Sequence, residues 1–246
     1  MGKLKRPILG AMLWSGMILL GACGSDDAGE DNSQNEFSIS GAVQKGPFIV
    51  GSTVTINQLS STGANTDSTI VTTTTDDLGS FGFSTQSQGL VQISSNGYYR
   101  NEITGELSSG TLTLRSIYNV SVVNEQQAYI NLLTHITSNR ILQLMQAEGV
   151  AYSQAQAQAE TEFLNTFSSV VPNDEEDRFT SLSIFNNDDS NGSAYLLTVS
   201  SIMYQYAISQ ATANSTNPDA ELSLLLNQLE ADFSDNGVVD NLLMLA

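Results

Sequence analysis

Two residue types that often do chemistry occur once each in this chain of 246 residues, as Cys23 and His135. A single histidine excludes sites built from several histidines and leaves a Ser-His-Asp triad only one possible base. On a helix, the residues four positions away from His135 are Asn131 and Asn139. This spacing predicts that His135 lies on a polar face, where it is solvated or hydrogen-bonded locally. The sequence contains no GxSxG elbow, and Lys45 is the only lysine beyond the amino-terminal segment.

Two segments carry part of the spacing of a calcium-binding loop. Near the carboxyl terminus, four oxygen-bearing residues follow the pattern: Asp232, Ser234, Asn236 and Asp240. The twelfth position holds a leucine instead of the bidentate glutamate of an EF-hand loop. The other segment has only Asn187, Asp189 and Asn191 before a glycine. Each segment is either a site for Ca²⁺ or a turn rich in Asp, Asn and Gly at the end of a helix, and the first is the stronger candidate.

The charge balance narrows the classes of partner. The chain has 26 acidic and 8 basic residues, for a net charge of −18. Loss of residues 1–22 would leave five basic residues against the same 26 acids, a net charge of −21. Nucleic acid phosphates and anionic membrane surfaces repel such a chain. The acidity indicates either attraction to cations and basic partners or simple solubility. With one thiol in the chain, the fold is expected to depend on core burial rather than on disulfides.

Residues 37–123 have the pattern of short β-strands. Apolar and polar residues alternate from Phe37 to Ser40 and at several later places, and the run Thr69 to Thr75 is rich in β-branched residues. Turn residues separate these runs, including the adjacent carboxylates of Asp76 and Asp77. Neighbours on an extended segment face opposite sides, so this pair indicates a turn and not an acid–base pair. The pattern predicts an antiparallel β-sandwich.

From residue 124 the apolar spacing changes to the three and four of α-helices. The first apolar stripe ends at Gly149, Ser153 with Gln156 has the spacing of a capping box, and Asn217-Pro218 suits the start of a helix. These stripes are interpreted as core contacts of an all-α helical bundle over residues 124–246, rather than as a groove for a partner helix. The predicted fold class is therefore α+β, with the sandwich first.

The first 22 residues have the layout of a signal peptide, with a basic start and an apolar stretch of about 12 residues. That stretch is short of the roughly 20 residues needed to cross a bilayer, although a short membrane helix with an incidental cysteine is the alternative. Its end, Leu20-Gly21-Ala22-Cys23, resembles the lipobox of bacterial lipoproteins. In that family the cysteine thiol receives diacylglycerol, the chain is cut before it, and the new amino group is acylated. The resemblance implies a stable lipid anchor on Cys23.

The residues after the cysteine predict where the anchor is placed. In lipoprotein sorting an aspartate in the next position favours the inner membrane, so Gly24 favours the outer membrane. Residues 24–36 contain no large apolar residue and are predicted to form, with Cys23, a flexible tether over residues 23–36. The acidic residues of this tether indicate a solvated spacer or, alternatively, a surface-export signal.

Three further segments carry a second resemblance. They are residues Gly41–Phe48 with Gly51–Val54, then Thr75–Phe81 with Gly97–Glu102, and finally Asn131–Arg140. The β half resembles carboxypeptidase regulatory-like domains, whose fold is a transthyretin-like sandwich. The combination resembles a group of bacterial surface lipoproteins that have a helical segment after the sandwich. The regulatory-like domain has no catalytic residues of its own, so the resemblance implies a fold and no chemistry.

The leading hypothesis is a lipid-anchored, non-enzymatic envelope protein with an adhesive or scaffolding role. Its partners would be membrane lipid and a protein or glycan bound at the sandwich loops or at Tyr98 and Tyr99 if these are exposed; otherwise they pack on the sheet. The alternatives are a hydrolase of envelope polymers, or its accessory subunit, with two carboxylates in a cleft, and a calcium-dependent adhesion module. Apart from the lipid on Cys23 and weakly bound calcium, no cofactor is expected.

Overall fold

The computed structural model describes residues 36–121, 126–168, 178–185 and 191–240. Within these ranges the strands come first and the helices follow, which is an α+β arrangement. The strands are β1 (Phe37–Gln44), β2 (Thr53–Leu59), β3 (Asn65–Thr73), β4 (Ser80–Thr85), β5 (Gly89–Gly97), β6 (Leu112–Val120), β7 (Gln126–Gln127) and β8 (Ile130–Asn131). The helices are α1 (Leu132–Glu148), α2 (Tyr152–Phe167), α3 (Asn191–Asn214) and α4 (Pro218–Asn236), with a 3₁₀ turn at Phe179–Ser181.

The strands are arranged in two sheets. One has the order β3-β2-β5-β6, and all its neighbouring pairs are antiparallel. In the other, β1 pairs antiparallel with β4 but parallel with β7 and β8. The parallel pairs differ from the antiparallel strands that the sequence predicted, and they come from the start of the segment predicted to be helical. Strands of two residues are too short to show alternation, so their sequence carries no signal.

One hydrophobic core contains residues from both sheets and from all four helices. Its aromatic centre is Phe163 of α2, whose ring stacks on Phe167 at 4.5 Å between centroids. Phe179 and Phe233 meet the Phe163 ring edge-on at 5.7 and 6.0 Å. Burial of each such side chain is worth about 1.5–3 kcal/mol. The helices and the strands therefore stabilise each other through the contacts of this shared core.

Capping side chains set the ends of α1 and α4. The Asn131 side-chain oxygen accepts hydrogen bonds from two backbone amides of the first turn of α1, and the backbone amide of Asn131 donates to Thr134 Oγ1 at 2.9 Å. Helix α1 ends at Gly149, which has a left-handed φ of 69°. Asn217 caps α4, with Pro218 as the first helical residue. The ends predicted at Gly149 and at Asn217-Pro218 are confirmed.

The capping box predicted at Ser153 and Gln156 is wrong. Helix α2 begins at Tyr152, and its N-cap, Ala151, makes no side-chain capping bond. The Tyr152 hydroxyl instead donates to the carbonyl of Ile117 at 2.9 Å, which fixes the start of α2 against β6. Tertiary packing overrides the local capping signal here, and Gln156 donates to the next turn of its own helix.

Candidate binding site

The candidate site is built on a buried ion pair between Lys45, which follows β1, and Glu102, in the loop after β5. Lys45 Nζ donates to Glu102 Oε1, and Ser200 Oγ of α3 donates to the same oxygen. The two charged side chains are 0% and 4% exposed. Burial lowers the pKa of Lys45, and the Glu102 carboxylate opposes that shift. The pair thus joins two loops of the β half to a helix inside the core.

Backbone and aromatic contacts hold this pair in place. A Cβ atom on Gly46 would lie 1.8 Å from the carbonyl oxygen of Arg100, so only glycine allows the loop after β1 to approach the 100–102 segment. Lys45 Nζ lies 5.7 Å from the centre of the Tyr99 ring and 5.1 Å from that of Tyr204. Aromatic faces attract a cation at such distances. Two of the segments that carry the family resemblance therefore meet at a buried charge.

Asp219, in the first turn of α4, connects the helices to the same loop. The Tyr99 hydroxyl donates to Asp219 Oδ1 at 2.7 Å. The Ser109 amide and hydroxyl donate to Asp219 Oδ2 at 2.8 and 2.7 Å. A carboxylate is also favoured at the amino-terminal end of a helix by the helix dipole. Burial and the neighbouring Asp219 carboxylate raise the pKa of Tyr99, so its phenol stays protonated and donates.

A cleft of about 230 Å³ opens above this network. Polar residues from the 101–109 loop, α3 and the start of α4 line it, with Leu107 and Pro218 as apolar neighbours: Asn101, Thr104, Glu106, Ser108, Ser109, Tyr204, Asn217 and Asp219. Tyr204 is half-buried. Burial, and the carboxylates of Asp219, Glu102 and Glu106, raise the pKa of Tyr204. The cleft is therefore a polar, acidic recess with one aromatic ring in its wall.

The two tyrosines proposed as binding residues differ in their exposure to solvent. Tyr98 is 43% exposed and remains available to a partner. Tyr99 is 1% exposed, so for this residue the alternative holds, in which the ring packs inside the protein and does not face a ligand. Neighbouring residues of an extended segment face opposite sides, and Tyr99 takes the inner one. The Tyr99 hydroxyl holds Asp219, which lines the cleft. No pattern of the sequence indicates the cleft, because its residues come from a loop and from two helices that are distant in sequence.

Three of the four calcium candidates lie in the last turns of helix α4, which is the helix end given as the alternative to a calcium site. Asp232, Ser234 and Asn236 belong to its last turns, and Ser234 Oγ donates to the carbonyl of Ala231. Asp232 Oδ2 accepts the amide of Asp240 at 2.9 Å. Asp232 and Asn236 are four residues apart and share a face, and the Asn236 amide donates to Asp240 Oδ2 at 3.4 Å. Ser234, however, lies two residues from each and points to another side of the helix, so the three side chains do not converge. Over the described ranges, no group of three or more His, Cys, Asp or Glu side chains is placed to hold a metal ion.

The prediction of a solvated or locally hydrogen-bonded His135 is wrong, because this residue is 1% exposed and, among the described residues, neither ring nitrogen has a hydrogen-bond partner. Its Nε2 lies 3.8 Å from Glu230 Oε2 of α4, and burial lowers its pKa to about 4. Glu230 instead pairs with Arg115 of β6 at 2.6 Å and accepts from Ser138 Oγ at 3.1 Å. The face of α1 that carries His135 and Ser138 is polar, as the sequence indicates, but it is buried against Glu230 of α4. Ser138 also donates to the backbone of His135 and not to its ring, so these residues do not form a hydrolytic triad.

Several predicted features lie outside the described residues. These are Leu20, Gly21, Ala22 and Cys23 of the lipobox, the tether up to residue 35, and Asn187 and Asp189 of the weaker calcium segment. In the part of the chain that is described, no helix has the length and apolar character to cross a membrane. Comparison with protein-family models, curated proteins and solved structures finds no match to this chain.

Proposed function

We propose that this chain is a lipid-anchored protein of the cell envelope, held in the outer membrane by acylated Cys23, with a non-enzymatic binding or scaffolding role. The observation that carries the proposal is the run Leu20-Gly21-Ala22-Cys23 after a basic start and an apolar stretch. The polar tether of residues 24–36 then leads into the first strand at Phe37. Such a layout presents a folded unit at a distance from the membrane.

We also propose that the two sheets form a β-sandwich of the transthyretin-like, carboxypeptidase regulatory-like type. Support comes from core side chains contributed by both sheets, among them Ile39 and Phe81 from one and Ile56 and Ile93 from the other. The close approach of Gly46 to Arg100 supports it too, because the motifs behind the resemblance then have a structural use.

A binding role is supported by how the buried carboxylates are used. The Glu102, Glu160 and Glu230 side chains are each 7% exposed or less, and each pairs with a cation from another element. Paired and buried carboxylates link elements together and have no access to a polymer. The open polar surface of the cleft beside Asp219 and the exposed ring of Tyr98 are the places where a partner would bind.

Metabolic palmitate labelling of native cells, followed by membrane fractionation, tests the anchor. The native protein is expected to carry label in the outer membrane, and Cys23→Ala is expected to lose it. Gly24→Asp is the matched control, because it keeps the thiol and is expected to remain labelled but move to the inner membrane. Label that persists in Cys23→Ala would refute the proposal. Protease shaving of intact cells then reports which side of the outer membrane the folded unit faces.

The second candidate function is hydrolysis of an envelope polymer, because Glu106 and Asp219 line the same cleft. Glycoside hydrolysis uses two carboxyl groups roughly 5–10 Å apart. Release of soluble fragments from dye-labelled peptidoglycan sacculi would support this function only if Glu106→Gln and Asp219→Asn each abolish it. Equal release by the native protein and by both variants, or no release by any of them, counts against it.

A further inference from the structure

Strand β3 forms an open edge of the antiparallel sheet. The sheet has the order β3-β2-β5-β6, so β3 and β6 are its two edges. The helices close the β6 edge, where the carbonyls of Arg115 and Ile117 accept the hydroxyls of Thr134 and Tyr152 at 2.9 Å. Among the described residues, no strand pairs with the far edge of β3. The two edges of one sheet are therefore treated differently by the fold.

The backbone of β3 presents hydrogen-bonding groups along this open edge. The Thr74 amide donates to the Ser52 carbonyl at 2.9 Å, so Thr74 faces the β2 side. Successive residues of an antiparallel strand direct their backbone groups to opposite neighbours. The pairing of Thr69 to Thr73 with β2 runs without a bulge, so this alternation is kept. Thr69, Val71 and Thr73 therefore direct their N–H and C=O groups to the open edge, and all three are exposed.

The sequence of β3 lacks the features that usually keep strand edges apart. Lysine, proline, inward-pointing charges and bulges protect most exposed edges. The run from Ser68 to Thr75 contains no charged residue and no proline, although the chain as a whole has a net charge of −18. Every residue of this run except Ser68 is β-branched. Val71 is 64% exposed, more than any other large hydrophobic side chain of the described residues. Such an edge is suited to pairing with another strand.

A second copy of the same strand fits this edge around a two-fold axis at Val71. Such an axis makes the two strands antiparallel, as in the rest of the sheet. Val71 then lies opposite Val71 of the other copy and Thr69 opposite Thr73, so the residues that face the edge meet as hydrogen-bonded pairs. Apolar and threonine pairs across strands stabilise a sheet. Asp67, the only charged residue of β3, falls opposite Thr75 and not opposite itself, so no like charges face each other.

We infer that β3 pairs with β3 of a second copy of this chain. The two four-stranded sheets then form one continuous antiparallel sheet across the dimer. A contact limited to one strand from each copy belongs to the class of interfaces below about 1,200 Å², which are weak and reversible. The inference goes beyond the proposed function and requires neither the lipid anchor nor the cleft. Copies anchored in one membrane would have a raised local concentration, which favours the dimer.

Sedimentation velocity of the full-length acylated protein in detergent micelles, over a wide range of protein concentrations, measures the dimer. Val71→Lys is the central variant, because it places two lysines opposite each other at the axis and changes an exposed side chain. Opposed like charges destabilise a strand pair, so the Kd of the dimer is expected to rise by more than about ten-fold. Leu224→Lys is the matched control on α4, where the side chain is 51% exposed, and should dimerise like the native protein.

Disulfide crosslinking tests the register without an added charge. In the proposed pair the Cα atoms of the two copies of residue 71 lie about 5.5 Å apart, which is within reach of a disulfide. The two copies of residue 69 lie more than about 13 Å apart. Val71→Cys should therefore crosslink on mild oxidation and Thr69→Cys should not. Both are made in a Cys23→Ala background, which removes the only native cysteine and makes the result independent of the anchor.

A native protein that stays monomeric at every concentration would overturn the inference. A dimer that is equally stable in Val71→Lys would overturn it too, because another surface would then hold the copies together. If circular dichroism shows that Val71→Lys does not fold, the crosslinking pair decides alone. Equal crosslinking of Val71→Cys and Thr69→Cys, or none by either, counts against the two-fold axis at Val71. Loss of palmitate labelling, by contrast, would remove the anchor and leave the expected dimer unchanged.

Discussion

Replacement of Glu102 by Gln tests how much the buried ion pair contributes to stability. The substitution keeps the size of the side chain and an acceptor for Ser200, but it leaves the buried Lys45 ammonium without its hydrogen-bonded counter-charge, and only the more distant Asp219 carboxylate still attracts it. Removal of one partner from a buried pair costs about 3–5 kcal/mol. Solvent does not screen this pair and so does not lower that cost, because the two side chains are 0% and 4% exposed. At about 2–4 °C per kcal/mol for a folded unit of this size, the Tm should fall by about 6–20 °C.

The pH dependence of this loss has a defined sign. The pKa of Lys45 is lowered in the folded state from its ordinary value of 10.5, so the unfolded state binds the proton more tightly. Stability therefore rises with pH across the range between the folded and unfolded pKa values of Lys45. Glu102→Gln removes the attraction that opposes the lowering and moves the folded pKa further down. The destabilisation caused by Glu102→Gln should shrink as the pH is raised from neutral toward 10.5.

Urea denaturation followed by far-ultraviolet circular dichroism measures these effects, since the only tryptophan of the sequence is at position 14, before the folded part of the chain begins at Phe37. Glu148→Gln is the matched control, because its carboxylate is 47% exposed and lies 3.8 Å from Arg140. Exposed pairs of this kind contribute about 0–1 kcal/mol. The double variant Lys45→Met/Glu102→Gln removes both charges and should recover at least half of the loss. A loss below about 1 kcal/mol in Glu102→Gln would refute the argument.

Burial lowers the pKa of His135 to about 4, so stability should fall as the pH drops from 6.5 to 4 and the unfolded state takes up the proton. The loss is up to about 3 kcal/mol, and His135→Gln should flatten this part of the profile; an unaltered slope in urea titrations would argue that the ring is solvated. Gly46→Ala places a Cβ 1.8 Å from the Arg100 oxygen and should abolish cooperative folding, whereas Gly110→Ala meets no atom within 4 Å. The latter should stay within about 0.5 kcal/mol of the native protein in thermal melts. Because the residues of the stronger calcium candidate lie mainly in α4, excess calcium and chelator should give the same Tm, and a rise with calcium alone would show a real site.

Features that depend on neighbours in sequence were predictable. Asp76 Oδ1 accepts the amides of Leu78 and Ser80, both at 2.9 Å, which is the turn expected from two adjacent carboxylates. The start of α4 at Asn217-Pro218 and the end of α1 at Gly149 follow from capping preferences that act within one turn. In each case the physical cause lies within a few residues, so the sequence alone carries it.

Features that depend on distant segments were not predictable in the same way. Lys45 is the one lysine after residue 5, yet nothing near it in sequence indicates a counter-charge at Glu102, 57 residues away. His135 lies beside asparagines on its own helix, but α4 covers that face and supplies Glu230. The sequence left open whether Tyr99 is exposed, because tertiary contacts set the direction of a side chain on an irregular segment. The cleft was not predictable for the same reason, since its walls come from a loop and two helices that tertiary contacts bring together.

The position of β1 determines how the fold would carry a mechanical load. Phe37 is the first residue of β1, and Lys45, at its far end, is joined to the loop that forms the cleft. A pull between a membrane anchor and a bound partner would run along the whole strand, a length of roughly 26 Å. Strand β1 is bonded to β4 on one side and to β7 and β8 on the other, so such a pull shears these bonds together instead of opening them one at a time. The parallel pairing of residues 126–131 with β1 would thus raise the force needed to pull this strand out of its sheet.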